Sequence, residues 1–537
     1  MKNTLFALAF VFVSSHCLPA QCPTNIEYYT QAQLDSFPIK YPACRDIPGS
    51  VTINGGDIEH LNGLMGLRSI GGDLEFINNA LLPNFSGLDQ LTSIHGGLLI
   101  MSNATLNSLS GLNQLDSIGD FLALYSNDAL PDLTGLDHLQ SIGDDLDIYN
   151  NASLTSLSGL TNIHSIHALN VSTNPVLANL TGLEAIRSLG GGLRIHENDA
   201  LTTLVGLEHI KSAGWLEIFG NDALPNLKAL DSLNAIGGNV SISLNTSLTS
   251  LSGLDHPIAV GGGLRIDGNR ILAGLEALRH LDKLKFLYLV GNAALTDLTG
   301  LEQITSLSGG LRIQENNALT SLAGLEHLQS AGSLDLFGNK ILHNLVGLDR
   351  LESIGTLAIE QTALASLTGL NHLRHIGGGV SIFNNIALAN LSALDSLQSF
   401  SGAHLVINHN PVLARCAVPS FCRYLDSPLS RVLIEQNAPG CNTAPEVWAA
   451  CKVSVGNIKN NGNFIALYPN PSTGIIQLRS SKPGEGILRI SDRTGKLVLK
   501  QVIHGDGLID LTGQPAGVYF FRVEQGNGAA RGRIVKE

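Results

Sequence analysis

Fourteen side chains suited to polar and aromatic recognition recur at two fixed places in a repeated pattern. They are Tyr125, Asp147, Tyr149, Arg194, His196, Glu217, Phe219, Arg265, Asp267, Tyr288, Arg312, Asp335, Phe337 and Phe383. Each stands second or fourth in a four-residue alternation whose first and third members are aliphatic, as in Leu193-Arg194-Ile195-His196. Period two is the signature of a half-buried strand, so these side chains point away from the core. Rings beside guanidinium and carboxylate groups suit non-covalent binding of a protein or glycan.

Other chemistries are poorly served. Carboxylates follow a Gly-Leu or Ala-Leu pair at Asp89, Asp137, Glu184, Glu208, Asp231, Asp255, Glu302, Glu326, Asp349 and Asp395. Acids at the start of a helical turn complement its dipole, and their spacing lacks the dense oxygen ligands of a calcium loop. His138, His209, His256, His280, His327 and His372 share the next slot, but only His256 and His280 fall on adjacent repeats, which reads as surface. No G-x-S-x-G, H-E-x-x-H or phosphate-loop pattern occurs, and Gly261-Gly262-Gly263 sits in a repeat turn. The expectation is a chain without catalytic residues, metal or cofactor.

The elements that position the outward side chains are the repeats. Strand leaders fall at Leu74, Leu98, Leu122, Leu146, Leu169, Leu193, Leu216, Val240, Leu264, Leu287, Leu311, Leu334, Leu357, Val380 and Leu405, within a period of 22–25 residues. Weaker copies start at Val51 and Val432. Such a period marks a solenoid. Six or seven aliphatics per repeat contribute roughly 1.5–3 kcal/mol each when buried, against about 1.5 kcal/mol for every residue ordered. Only stacking closes that gap. An asparagine ladder runs from Asn79 through Asn103, Asn198 and Asn292 to Asn410, broken by Thr362, and reads as turn chemistry.

The 537 residues carry a formal net charge of −13, unevenly spread. Residues 464–537 hold 10 basic and 6 acidic groups, or +4, whereas residues 21–463 hold 21 and 39, or −18. The acidic body excludes nucleic acid as a partner. Lys2, the apolar run Leu5–Val13 and a cut after Ala20 read as a secretory signal peptide over residues 1–20, too short to span a bilayer. A lipoprotein signal ending at Cys17 is the alternative, with His16 a poor fit before it. No transmembrane helix is expected elsewhere. Cys22 and Cys44 precede the repeats, and Cys416, Cys422, Cys441 and Cys451 follow them, which in an exported chain reads as disulfides. Cys22–Cys44 is the obvious pair; the other four allow three pairings.

Residues 21–50 read as an N-terminal cap, with helical spacing over Tyr28–Phe37 and Thr30 as N-cap. Residues 51–415 form the solenoid and residues 416–454 a cysteine-rich cap. The repeat, with an aliphatic four before the leader (Leu189 before Leu193), one extra residue between Asn198 and Leu201, and Ser-Ile-Gly-Gly as at Ser69–Gly72, resembles the receptor L domain, a relative of leucine-rich repeats. The resemblance covers about Val51–Asn437 and implies a mainly β, right-handed solenoid with parallel sheets.

A polar linker, residues 455–463, ends the repeats. Residues 464–537 alternate in short segments at Ile475–Leu478, Ile487–Ile490, Leu497–Lys500 and Val518–Val523, a small β-sandwich pattern. Tyr468-Pro469-Asn470-Pro471 with Gly474, Asp492 to Gly495, Gly517 with Tyr519, and Arg533 to Lys536 resemble the type A C-terminal sorting domain of the type IX (Por) secretion system. The resemblance implies that the type IX machinery is a partner, and that the chain passes through the periplasm to the outer-membrane surface or the exterior. The expected function is a non-enzymatic, surface-displayed binding or adhesion protein with an extracellular protein or glycan ligand. The alternatives are an envelope component without a discrete ligand and, third, a polysaccharide-acting enzyme.

Overall fold

Aliphatic residues at every second place make each leader segment a strand, and the computed structural model, which describes residues 22–426, 431–454, 465–468, 472–480, 484–525 and 528–536, pairs those strands in parallel. The signal segment, Cys17 and the linker lie outside the described residues. The chain divides into two compact units, Met1–Leu319 with Ala323–His327, and Thr320–Leu322 with Leu328–Glu537.

In the first unit, strands led by Leu74, Leu98, Leu122, Leu146, Leu169, Leu193, Leu216, Val240, Leu264, Leu287 and Leu311 align leader to leader. The alignment keeps every aliphatic on one face, since a one-residue slip would turn the whole set outward. In the rung that starts at Leu193, the residues Leu193, Ile195, Leu201, Leu204, Leu207 and Ile210 are at most 1% exposed. Each rung therefore seals its neighbours. A second, shorter parallel sheet joins Asp46–Ile47, Ser69–Ile70, Ser93–Ile94, Ser117–Ile118 and Ser141–Ile142. Further along it thins to the single bridge Ile166–Leu189 before resuming at Ser212–Ala213.

In the second unit the strands Ser330–Phe337, Ser353–Glu360, Val380–Phe383, Leu405–Asn408 and Val432–Glu435 pair likewise. A protein of parallel β-rungs with disulfide-bonded ends matches the expected fold class.

Two ladders acquire physical reasons. The asparagines are fully buried. The Oδ1 of Asn198 accepts from the backbone N–H and the Nδ2 of Asn174 at 3.0 and 3.3 Å, while its own Nδ2 donates to the Val171 carbonyl at 2.9 Å. The ladder amide thus takes up rung-end groups that would otherwise be buried unpaired. The left-handed residue is not the asparagine, as expected from its type, but the one before it: Thr173, Glu197 and Leu244 have φ of 57°, 49° and 57°. Thr362 keeps the link to the following rung, donating through Oγ1 to Asn385 Oδ1 at 2.7 Å, and Asn437 extends the ladder by one rung.

The acidic ladder is a correction. Its residues sit mostly in turns rather than at helix starts, and the carboxylate accepts the N–H of the glycine two places earlier, as Glu208 does from Gly206 at 2.9 Å. Gly206 has φ +114°, and a Cβ there would meet the Leu180 carbonyl oxygen at 2.1 Å, so both conformation and space demand glycine.

The ends are closed as the cysteines required. The N-terminal cap is a strand, Ile26–Tyr28, paired with Val51–Ile53, followed by helices Gln31–Asp35 and Phe37–Lys40. Tyr28 thus belongs to a strand rather than the expected helix, and Thr30 caps the first helix by accepting from the Gln33 N–H. Disulfides join Cys22–Cys44, Cys416–Cys441 and Cys422–Cys451, which selects one of the three C-terminal pairings. Helices Pro419–Leu425 and Ala444–Ser454 complete that end. Among the described residues no helix is long and apolar enough to cross a membrane.

The C-terminal module has two antiparallel sheets. One contains Ile465–Tyr468, Ile475–Ser480 and Gly507–Asp510; the other contains Leu497–His504, Glu485–Ser491, Gly517–Gln525 and Gly528–Lys536. They share a core that includes Leu478, Ile490, Ile509, Phe521 and Ile534.

Candidate binding face and sorting domain

Strand register gathers the outward residues into two rows. In the first unit the second-place row runs Asp147, Asn170, Arg194, Glu217, Ser241, Arg265, Tyr288, Arg312. The fourth-place row runs Tyr125, Tyr149, Ser172, His196, Phe219, Ser243, Asp267. In the second unit Asp335 pairs with Ala358, and Phe337 and Phe383 flank Glu360. Rigid strands thus fix these side chains a rung apart, close to 4.8 Å.

The densest group lies on two successive rungs, the strands Gly192–His196 and Trp215–Phe219. Arg194 reaches Glu217 at 3.0 Å and holds its guanidinium 5.1 Å from the Trp215 ring centroid. His196 packs on Phe219 with ring centroids 5.2 Å apart. His196 Nε2 stands 3.4 Å from Glu217 but outside hydrogen-bond geometry. Burial, with the Arg194 charge adding to it, pulls the His196 pKa below its ordinary value against the opposing pull of Glu217. The imidazole is therefore favoured in its neutral form, able to donate or accept.

Two smaller groups flank it. Tyr125 and Tyr149 meet edge to face at 6.3 Å, with Tyr149 46% exposed. Burial and Asp147, which accepts from the Tyr125 hydroxyl at 3.3 Å, push that phenol up to about 12. On later rungs Phe286 and Tyr288 stack at 4.5 Å, and Arg312 lies 4.9 Å over Tyr288. Arg265 pairs within its own strand with Asp267.

Phe121, Trp215 and Phe286 escaped the sequence reading because they precede the leader. Each sits one rung after a glycine. A Cβ on Gly97, Gly192 or Gly263 would meet the ring of Phe121, Trp215 or Phe286 at 2.5, 2.0 and 2.3 Å. The signal was there as a glycine-then-aromatic step in the column before the leaders.

Among the described residues one trio of metal-type ligands converges, Asp144, Asp145 and His167, with donor atoms within 4.8 Å of one another. Burial, Asp144 and Asp147 raise the Asp145 pKa, with His167 opposing. Adjacent rungs brought His167 beside two acids, a placement the histidine column did not reveal.

In the C-terminal module the expected sorting residues play structural parts. Tyr468 ends its strand with its backbone opposite Gln477, and Pro469, Asn470 and Pro471 lie outside the described residues. Gly474 (φ +130°) and Gly495 (φ +86°) occupy turns, and Gly517 opens a strand. Tyr519 donates to the Pro515 carbonyl at 2.6 Å. Lys536, 9% exposed, donates to the carbonyls of Thr512, at 3.1 Å, and Gln514. Residues 466–537 match the secretion system C-terminal sorting domain family. No curated protein matches the chain. The sorting domain marks the protein for export by the type IX system to the cell surface or extracellular space.

Proposed function

We propose that the exported body is a non-enzymatic recognition or adhesion protein, and that its ligand is an extracellular glycan or protein held on the outward rows of the strands. The observation that carries this reading is the group Arg194, Trp215, Glu217 and Phe219, where rings and paired charges are fixed by strand register on two adjacent rungs. Such a mixture of arginine and aromatic residues is typical of binding hot spots. The receptor L-domain resemblance of the repeat is compatible with it.

The test is a glycan array together with pull-down of surface proteins by the purified exported chain. A saturable ligand whose binding falls at least about tenfold on Arg194→Ala with Phe219→Ala supports the reading. Absence of any ligand, with unchanged adhesion of cells carrying Tyr149→Ala, Phe219→Ala and Phe337→Ala together, favours the envelope-component reading instead. Release of sugar from a polysaccharide panel would overturn the non-enzymatic part.

A further inference from the structure

The outer face of the four-stranded sheet in the sorting domain breaks a rule of sheet design. Lys500 stands opposite Arg489, Arg489 opposite Arg522, and Arg522 opposite Arg531, so four cations cross four strands in one row. Like charges placed directly opposite one another destabilise a sheet. Glu524 supplies a single carboxylate to that row, bonding Arg489 and, at 2.7 Å, Arg522. The hydrogen bond from Arg489, followed by the charges of Arg489, Arg522 and Arg531, holds its carboxyl below the usual range. Lys500 and Arg531 lie at the two ends of the row, beyond that pairing.

Glu524 offsets only part of the cost of such a row, with one carboxylate among four cations, and rule-breaking of this kind concentrates at functional sites. The row borders an open hollow of about 630 Å³, and Phe520, 51% exposed, stands beside it on the same strand as Arg522. Three of the four cations are arginines, whose forked donors match carboxylates two bonds at a time. An exposed ring beside arginines is the composition of a protein interface.

We infer that the row Lys500–Arg489–Arg522–Arg531, with Phe520, is a docking surface for an acidic, carboxylate-rich protein surface met on the export route. The acidic partner cancels the repulsion, so docking is driven by charges that the free domain holds at a cost. The surface belongs to the sorting domain and stands independently of any ligand of the solenoid.

The test uses the full chain with Lys500→Gln and Arg531→Gln, which leave both Glu524 pairs in place. The thermal midpoint of the variant is expected to equal or exceed the parent's, because like charges have been removed. In a bacterium with a type IX system, the exported fraction is expected to fall at least about fivefold, with folded chain held in the periplasm. Binding of the parent to poly-L-glutamate, followed by fluorescence anisotropy, is expected to weaken at least about tenfold in the variant and to fade with added salt. Undiminished export of the variant would overturn the inference. So would a parent chain that ignores polyglutamate but sediments with phosphatidylglycerol vesicles, which assigns the row to a membrane.

Discussion

Gly192 and Trp215 are locked as a pair: the indole lies where the β-carbon of any larger residue at 192 would have to be, 2.0 Å from Cε2. The pairing across two rungs keeps the ring at the place where Arg194 covers it. Gly192→Ala is therefore expected to displace the indole and destabilise the first unit by about 1–3 kcal/mol. In the double variant with Trp215→Ala the added methyl should cost less than in the single one, a coupling that a double-mutant cycle in urea measures.

The asparagine ladder predicts a cost out of proportion to its size. Asn198→Leu takes the acceptor from the Asn174 N–H and the side-chain donor from the Val171 carbonyl, while the Asn174 amide keeps its bonds to the Ile148 and Ser172 carbonyls. Each orphaned group costs about 1–3 kcal/mol. Asn198→Thr should be milder, because Thr362 already serves in the same column. Hydrogen exchange across the rungs on either side of residue 198 distinguishes the two.

Much of this was legible in the sequence because a solenoid writes its core in one column. Leu193 and Leu216 could be aligned by eye, and the structure pairs them directly. What stayed hidden depends on neighbours a rung away. Trp215 is intelligible only over Gly192, His167 only beside Asp144 and Asp145, and Glu208 only with the amide of Gly206. The type and spacing of the acids suit a helix dipole; the backbone instead turns at a left-handed glycine, and the carboxylate closes that turn.

The C-terminal disulfides should protect an end rather than the middle. Cys416–Cys441 and Cys422–Cys451 link residues 25 and 29 positions apart, worth about 3.5 kcal/mol each in the chain-entropy account. Replacing Cys422 and Cys451 by serine should raise hydrogen exchange first in the strands Leu405–Asn408 and Val432–Glu435 and leave the Leu193 rung unchanged. Mass spectrometry of peptic fragments reads that gradient.

His196 gives the binding face a dependence on acidity. Its folded pKa is depressed by burial and by Arg194, so the unfolded chain holds the proton more tightly. Stability is then lost as pH falls below the unfolded value of about 6.5 and towards the folded one. His196→Gln should flatten the fall of the thermal midpoint over that interval, without altering it at neutral pH by more than a packing change would.

Lys536 is expected to matter for the sorting domain's integrity. Its ammonium holds the carbonyls of Thr512 and Gln514, next to the turn that Leu511 and Gly474 close. Lys536→Met should lower the domain's thermal midpoint and raise its protease sensitivity, whereas Lys536→Arg should retain part of the contact. Limited proteolysis of the full chain separates these outcomes.

Because each ladder asparagine bonds the rung before it and the rung after it, a copied repeat would arrive with its own means of attachment on both sides. Recombination within the gene could then lengthen or shorten the body by whole rungs, each changing its reach by about 4.8 Å. The cysteine-bonded ends and the export tail would need no revision, and the inventory of outward side chains could diversify one rung at a time.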